Sequence, residues 1–264
     1  MRREISRPES RAGSLAETKA SLRGMSLERH LSDPALKQQF VTPMFDIIAP
    51  RYDQFTRLFS FGLDRRWKAQ LLAELSSHVG PNTRALDLAC GSGDLAFALA
   101  ARGAQVTGVD ASSRMIEAAK QRSHGEPSPS FVVGDMTTLD APDASVDVVT
   151  AGYALRNVPD YARALREIAR VTKHGGRLLT LDFYRPANPL WRRAFLAYLS
   201  AAGNTVGWLW HGEPVVYGYI ARSVEHFVSI DDFNAALEEN GFAVERVYRR
   251  LYGGIAVHHA VRAA

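Results

Sequence analysis

The stretch Ala85-Leu86-Asp87-Leu88-Ala89-Cys90-Gly91-Ser92-Gly93-Asp94 decides the fold. An apolar run of strand length enters a turn with two glycines, and a helical pattern over residues 95–102 follows at once. Gly91 and Gly93 supply positive φ and let a ligand approach the backbone closely. In an open parallel sheet such a turn lies at the carboxyl end of its strand, where these sheets bind ligands.

Outward from this turn, the same alternation repeats. Strand-like runs at 85–89, 105–109, 130–133, 146–150 and 177–183 are separated by helical patterns such as 113–122 and 161–171. Right-handed crossovers of this kind build a parallel sheet covered on both faces. Runs at 242–249 and 254–262 predict an antiparallel C-terminal edge. The expected fold is therefore an α/β, Rossmann-like open sandwich.

The chemistry sits at the strand ends. Gly-x-Gly-Asp lacks the third glycine of the dinucleotide fingerprint and the Lys-Ser/Thr of a phosphate loop. Asp87 and Asp94 flank the turn, which disfavours a pyrophosphate and suits an amino acid ammonium. Asp110 ends the next run, where an acid accepts both hydroxyls of a ribose. Asp135 follows the third run, placed to accept from an adenine amino group, with Met115 or Met136 against the ring. Amino acid, ribose and adenine together describe S-adenosylmethionine. Residues 84–183 thereby resemble the class I methyltransferases.

A narrower resemblance rests on Phe45-Asp46, Tyr52-Asp53, Ser60-Phe61-Gly62 and Trp67-Lys68. To these add Leu155-Arg156-Asn157-Val158 after the fourth run, Lys173-His174-Gly175-Gly176-Arg177 and Leu181-Asp182-Phe183. Over residues 41–262 the chain is similar to the ubiquinone/menaquinone biosynthesis C-methyltransferases. The resemblance implies methylation of a ring carbon on a prenylated, demethylmenaquinol-type hydroquinone, with no metal. It implies a cofactor-binding set of Tyr52, Asp87, Gly91, Ser92, Gly93, Asp110, Met115, Asp135, Met136 and Gly152. It further implies that Arg156 stabilises a phenolate, Asn157 orients the acceptor and Tyr52 positions cofactor or acceptor. An arginine is no free base, since its pKa exceeds about 12.

Two places depart from the family pattern. Gly152-Tyr153-Ala154 stands where Ser-Phe-Gly is usual, and Tyr219-Ile220-Ala221-Arg222-Ser223 replaces Tyr-Leu-x-Glu-Ser. Both bear on acceptor identity, so another phenolic or polyketide acceptor stays open. A nicotinamide-dependent oxidoreductase or a non-catalytic binding module are the readings of other classes.

Composition bounds the rest. The 264 residues are 46% hydrophobic and 23% charged, an ordinary globular mixture. One cysteine, Cys90, excludes an intrachain disulfide and fits a reducing compartment, here the cytoplasm. The net charge is +4, of which Arg2, Arg3, Arg7, Arg11, Lys19, Arg23 and Arg29 against four glutamates supply three. Residues 1–38 read as a flexible basic tail and 39–264 as the methyltransferase domain, so no nucleic-acid partner is expected. Residues 184–230 read as an apolar insertion at the acceptor site. Its stretch 194–212 has no charge but holds too many hydroxyl and glycine residues for a membrane span. Contact with a membrane surface and homodimer assembly stay open.

Overall fold

The computed structural model describes residues 27–48, 62–73, 78–123, 127–211 and 214–264, with a few isolated positions besides. Seven strands form one sheet in the order β3-β2-β1-β4-β5-β7-β6. They are β1 (Arg84–Leu88), β2 (Gln105–Asp110), β3 (Ser130–Val133), β4 (Val146–Gly152), β5 (Thr172–Phe183), β6 (Phe242–Arg250) and β7 (Ile255–Arg262). β1 to β5 are parallel, and β7 is antiparallel to β5 and β6. Strand order reverses between β1 and β4, so a crevice opens outside their carboxyl ends.

Alternation along the central strands divides the core. On one face, Leu86, Leu88 and Val149 pack against α6 (Tyr161–Val171) and α9 (Ile230–Glu239). On the other, Ala85, Val106 and Val148 pack against α3 (Asp64–Ala73), α4 (Asp94–Ala100) and α5 (Ser113–Arg122). A third apolar cluster joins α1 (Leu27–Ser32), α2 (Pro34–Ile48), α7 (Pro189–His211) and α8 (Pro214–His226). Phe40, Met44, Phe195, Leu199, Tyr219 and Val224 are its centre.

Four local features of the structure go beyond the sequence reading. α2 runs through Pro43. A mid-helix proline costs roughly 3 kcal/mol, and burial of Phe40, Val41, Met44, Ile47 and Ile48 offsets it. β5 starts at Thr172, five residues earlier than its apolar run, because α6 passes straight into it. α3 ends at Ala73. Residues 27–38, read as the end of a tail, are helical and packed, with Leu22 and Leu31 buried in the third cluster. Residues 1–17 lie outside the described residues. Among the described residues no helix is long and apolar enough to cross a membrane.

Candidate functional site

The β1–α4 turn takes the conformation its glycines allow. Gly91 has φ 55° and Gly93 φ 90°. A Cβ on Gly93 would meet the Phe131 ring at 2.8 Å, so glycine is required there for space as well as for φ. Ala89 and Tyr153, ending β1 and β4, also have positive φ, at 48° and 57°. Two strained non-glycine residues on neighbouring strands mark the same crevice.

Asp87 lies beneath the turn. Its Oδ2 accepts from Ala96 N (3.0 Å) and its Oδ1 from Thr150 Oγ1 (2.7 Å). It thus joins β1 to the first turn of α4 and to β4. Burial raises its pKa to about 7, more than the Thr150 and Ala96 bonds lower it. Asp87 is not among the residues lining the cleft, and its carboxylate supports the turn from beneath. Burial would also raise the Asp94 carboxyl, but Lys68 and Arg122 outweigh it and hold the group low.

Above the turn, a cleft partly open to solvent brings six of the sequence-derived residues together. Gly91, Asp110, Met115, Asp135, Met136 and Asn157 all line it. Asp110 Oδ2 accepts from Gly91 N and Oδ1 from Ser112 N, both at 2.9 Å. Each oxygen keeps a second lone pair, which suits a pair of hydroxyls. Burial raises its pKa against those two bonds. Asp135 Oδ1 accepts from Thr137 N and Oγ1, so Oδ2 is left for an amino donor. Met115 and Met136 supply apolar flanks, and Gly134 has no room for a side chain beneath Val109. These residues fit the cofactor that the sequence indicates.

The remaining members fall elsewhere. Ser92, Gly93, Gly152 and Arg156 do not line the cleft. Ser92 O accepts from Arg122 Nη1 (2.9 Å), and a Cβ on Gly152 would meet Leu95 Cδ1 at 2.9 Å, so both belong to the packing of the turn. Arg156 is buried: its Nε donates to Asp182 Oδ1 (3.3 Å) and its Nη1 to Ser223 Oγ. The guanidinium also lies over the Phe183 and Tyr219 rings. Its guanidinium is therefore engaged in an internal ion pair and stands outside the cleft lining. Tyr52 lies outside the described residues.

Asn157 reaches the cleft with both ends of its amide engaged. Nδ2 donates to Tyr153 O (2.7 Å), and Oδ1 accepts from Tyr219 Oη (3.0 Å). It thereby fixes the strained Tyr153, whose Oη donates to Asp64 Oδ1 (3.2 Å).

The sequence reading missed the roof. Gln38, Val41, Thr42 and Phe45 of α2 line the cleft at i, i+3, i+4 and i+7, one helical face. That spacing was available, but the larger apolar residues of the other face dominate the pattern. α2 is tied down at both ends. Lys37 Nζ donates to Arg156 O (2.8 Å), and Asp46 Oδ1 accepts from Ser112 Oγ (2.5 Å).

Comparison with known proteins agrees with this geometry. Residues 34–262 match the model of the ubiE/COQ5 methyltransferase family. A demethylmenaquinone methyltransferase of Paenarthrobacter aurescens (strain TC1) is 37% identical over 221 residues, 83% of this chain and 85% of that protein. One of Lactiplantibacillus plantarum is 33% identical, covering 85% and 96%. Among solved structures, a Haloferax volcanii putative methyltransferase complex with the Trm112 activator matches with TM-score 0.61 at 20% identity, covering 83% of this chain and 98% of that one. A SAM-dependent methyltransferase from Aquifex aeolicus matches at 0.53 and 17% identity, covering 74% and 89%. Sheet order, the acid-lined cleft and a match over nearly the whole described chain lead to one conclusion: the chain belongs to the ubiE/COQ5 methyltransferase family, with S-adenosylmethionine as its cofactor.

Proposed function

We propose that this methyltransferase adds a methyl group to a ring carbon of a prenylated hydroquinone of the demethylmenaquinol type. The observation that carries the reading is the match, over more than four-fifths of the chain, to relatives named demethylmenaquinone methyltransferase. The cofactor supplies an electrophilic methyl group on a sulfonium sulfur. The chain's own task is to hold the ring carbon in line with it and to exclude water.

Asp110 and Asp135 hold ribose and adenine in this reading, and Val41 and Phe45 of α2 cover the acceptor ring. The second Nδ2 hydrogen of Asn157 and the Gln38–Thr42 pair, hydrogen-bonded at 2.7 Å, serve the ring oxygens. As a phenolic proton leaves, the ring carbon would form the new C–C bond while the S–CH3 bond breaks, its electron pair staying on sulfur as a neutral thioether. That carbon then sheds its own proton and the oxygen regains one, so the product is again a hydroquinone. Arg156 acts as a positioning residue, holding the segment that carries Asn157. Tyr52 retains a positioning role toward cofactor or acceptor. The reaction is placed in the cytoplasm at a membrane that supplies the acceptor.

The test is mass spectrometry of quinones after incubation with cofactor carrying a labelled methyl. Label on a ring carbon of a demethylated menaquinol supports the reading. Label on oxygen, or only on a non-quinone phenol, moves the chain to the other acceptor class that Gly152-Tyr153-Ala154 and Arg222 leave open.

A further inference from the structure

The β6–β7 turn, Leu251–Gly253, places two consecutive non-glycine residues in the left-handed region, Leu251 at φ 46° and Tyr252 at φ 48°. Such strain persists only where the surroundings hold it. Here Trp191 Nε1 donates to Leu251 O (2.9 Å), and the Trp191 ring meets Tyr252 edge-on at 5.4 Å. Gly254 has no Cβ, which lets the Phe195 ring seat on the turn. All this holding presents apolar side chains outward: Tyr252 is 87% exposed and Leu251 39%.

The neighbouring α7 has the same character. Its Phe195 and Leu199 are buried in the third cluster, while Leu190 (77%) and Trp208 (68%) are exposed. These two are eighteen residues apart, five full turns at about 3.6 residues per turn, and so share one helical face about 27 Å long. Between them that face exposes Arg193, Ala194, Ala197, Ala201, Asn204 and Thr205. Residues 184–212 contain Arg185, Arg192 and Arg193 and not one Asp or Glu. Neither Arg192 nor Arg193 enters an ion pair among the described residues. Isolated exposed apolar residues need no explanation, but here they anchor both ends of one face whose own residues carry no carboxylate, with Glu225 and Asp231 at its borders.

We propose that this face, Leu190 to Trp208 of α7 with the Leu251–Tyr252 turn beside it, is a docking surface for an anionic lipid bilayer. Trp and Tyr side chains suit the headgroup level, and Arg193 at the border of the face complements lipid phosphate. The turn lies next to the carboxyl end of β5, since Ile255 pairs with Phe183 and Tyr184 N donates to Gly254 O (3.0 Å). It therefore shares an edge of the sheet with the cofactor cleft. Only the usefulness of that placement rests on the proposed prenylated acceptor; the surface itself stands on its geometry and charge.

The test is co-sedimentation of the full chain with vesicles of phosphatidylcholine containing phosphatidylglycerol. The wild-type chain partitions onto them, and the Leu190→Gln/Trp208→Ser/Tyr252→Ser variant does so at least tenfold more weakly. That variant keeps its far-ultraviolet circular dichroism and its methyl transfer to a short-chain acceptor in solution. Arg193→Ala loses the preference for anionic over neutral vesicles. As a check independent of folding in the triple variant, brominated lipids quench wild-type tryptophan emission, and Trp208→Phe reduces that quenching. A wild-type chain indifferent to vesicles, or a triple variant that binds as well, overturns the proposal. So does a wild-type dimer that ignores vesicles and becomes monomeric in the triple variant, which would assign the face to a second copy. Vesicle binding without methyl transfer to any hydroquinone would instead overturn the functional reading and leave the surface standing.

Discussion

Lys37 Nζ donates to the carbonyl oxygen of Arg156, joining the roof helix α2 to the segment after β4 across 119 positions of sequence. Burial lowers the Lys37 pKa to about 8, the Arg156 charge adds to this, and Asp182 opposes it. The unfolded chain therefore binds a proton more readily than the folded one between pH 8 and 10.5. Stability rises with pH across that window and carries the full penalty below it. Chemical denaturation of the wild type and of Lys37→Met across pH 7.5–10.5 checks this: the slope is expected to flatten in the variant.

Replacing Asp110 tests the cofactor cleft. Asp110→Ala removes both the ribose acceptor and the anchor of Gly91 N. Hydrogen bonds to a charged group contribute roughly 1.5–3 kcal/mol, so S-adenosylmethionine affinity is expected to fall by about 10- to 100-fold. Isothermal titration measures it directly, and an unchanged affinity would remove Asp110 from the site.

Arg156→Ala is expected to damage the fold as well as the reaction. It strips the partner from the buried Asp182, whose side chain is 1% exposed. Breaking such a pair costs roughly 3–5 kcal/mol. Thermal unfolding is the readout, with Arg156→Met/Asp182→Asn expected to recover part of the loss. A variant that unfolds like wild type but does not methylate would return Arg156 to the catalytic set.

His258 links the fold to acid. It lies buried, with Tyr184 Oη and Thr180 Oγ1 at 3.3 and 3.4 Å from Nδ1. Burial lowers its pKa to about 3, aided by the charges of Arg249 and His259. The unfolded chain takes up this proton first, so stability falls as pH drops below 6.5 and continues falling toward 3. By pH 5 the loss amounts to about 2 kcal/mol. Asp87, its pKa raised to about 7, acts with the opposite sign over the same range. The readout is therefore the comparison by denaturant titration: between pH 7 and pH 5 His258→Phe should gain about 2 kcal/mol in stability relative to the wild type.

Gly93→Ala meets two obstacles, a φ of 90° and the Phe131 ring. Destabilisation of about 1–3 kcal/mol is expected from strain and overpacking. Denaturant unfolding of the variant against wild type reads it.

What the sequence made legible was what neighbouring residues encode. The β1–α4 turn follows from the order strand, glycine, helix, and Asp110 and Asp135 announce themselves by ending apolar runs. What escaped depends on partners far along the chain. Nothing local says that Arg156 would turn to Asp182 and Ser223, or that Asp87 would be consumed by Ala96 and Thr150. The roof escaped for a different reason. α2 has two working faces, and the one carrying Phe40, Met44 and Ile47 gave the stronger apolar signal than Gln38, Val41, Thr42 and Phe45. Tyr153 showed itself only as a departure from the family pattern, since its left-handed backbone leaves no mark in a single residue type.

The single cysteine acquires a use from its surroundings. Cys90 sits inside the cofactor turn, its N–H bonded to Val109 O (3.0 Å) and its sulfur at the place where a side chain on Gly108 would go. Burial, followed by the Asp87 and Asp110 charges, pushes its thiol well above the ordinary range. The closed turn is therefore inert to alkylating reagents, and labelling registers its opening. With no second thiol in the chain, the native protein has a built-in clock for that opening, which bound cofactor should slow.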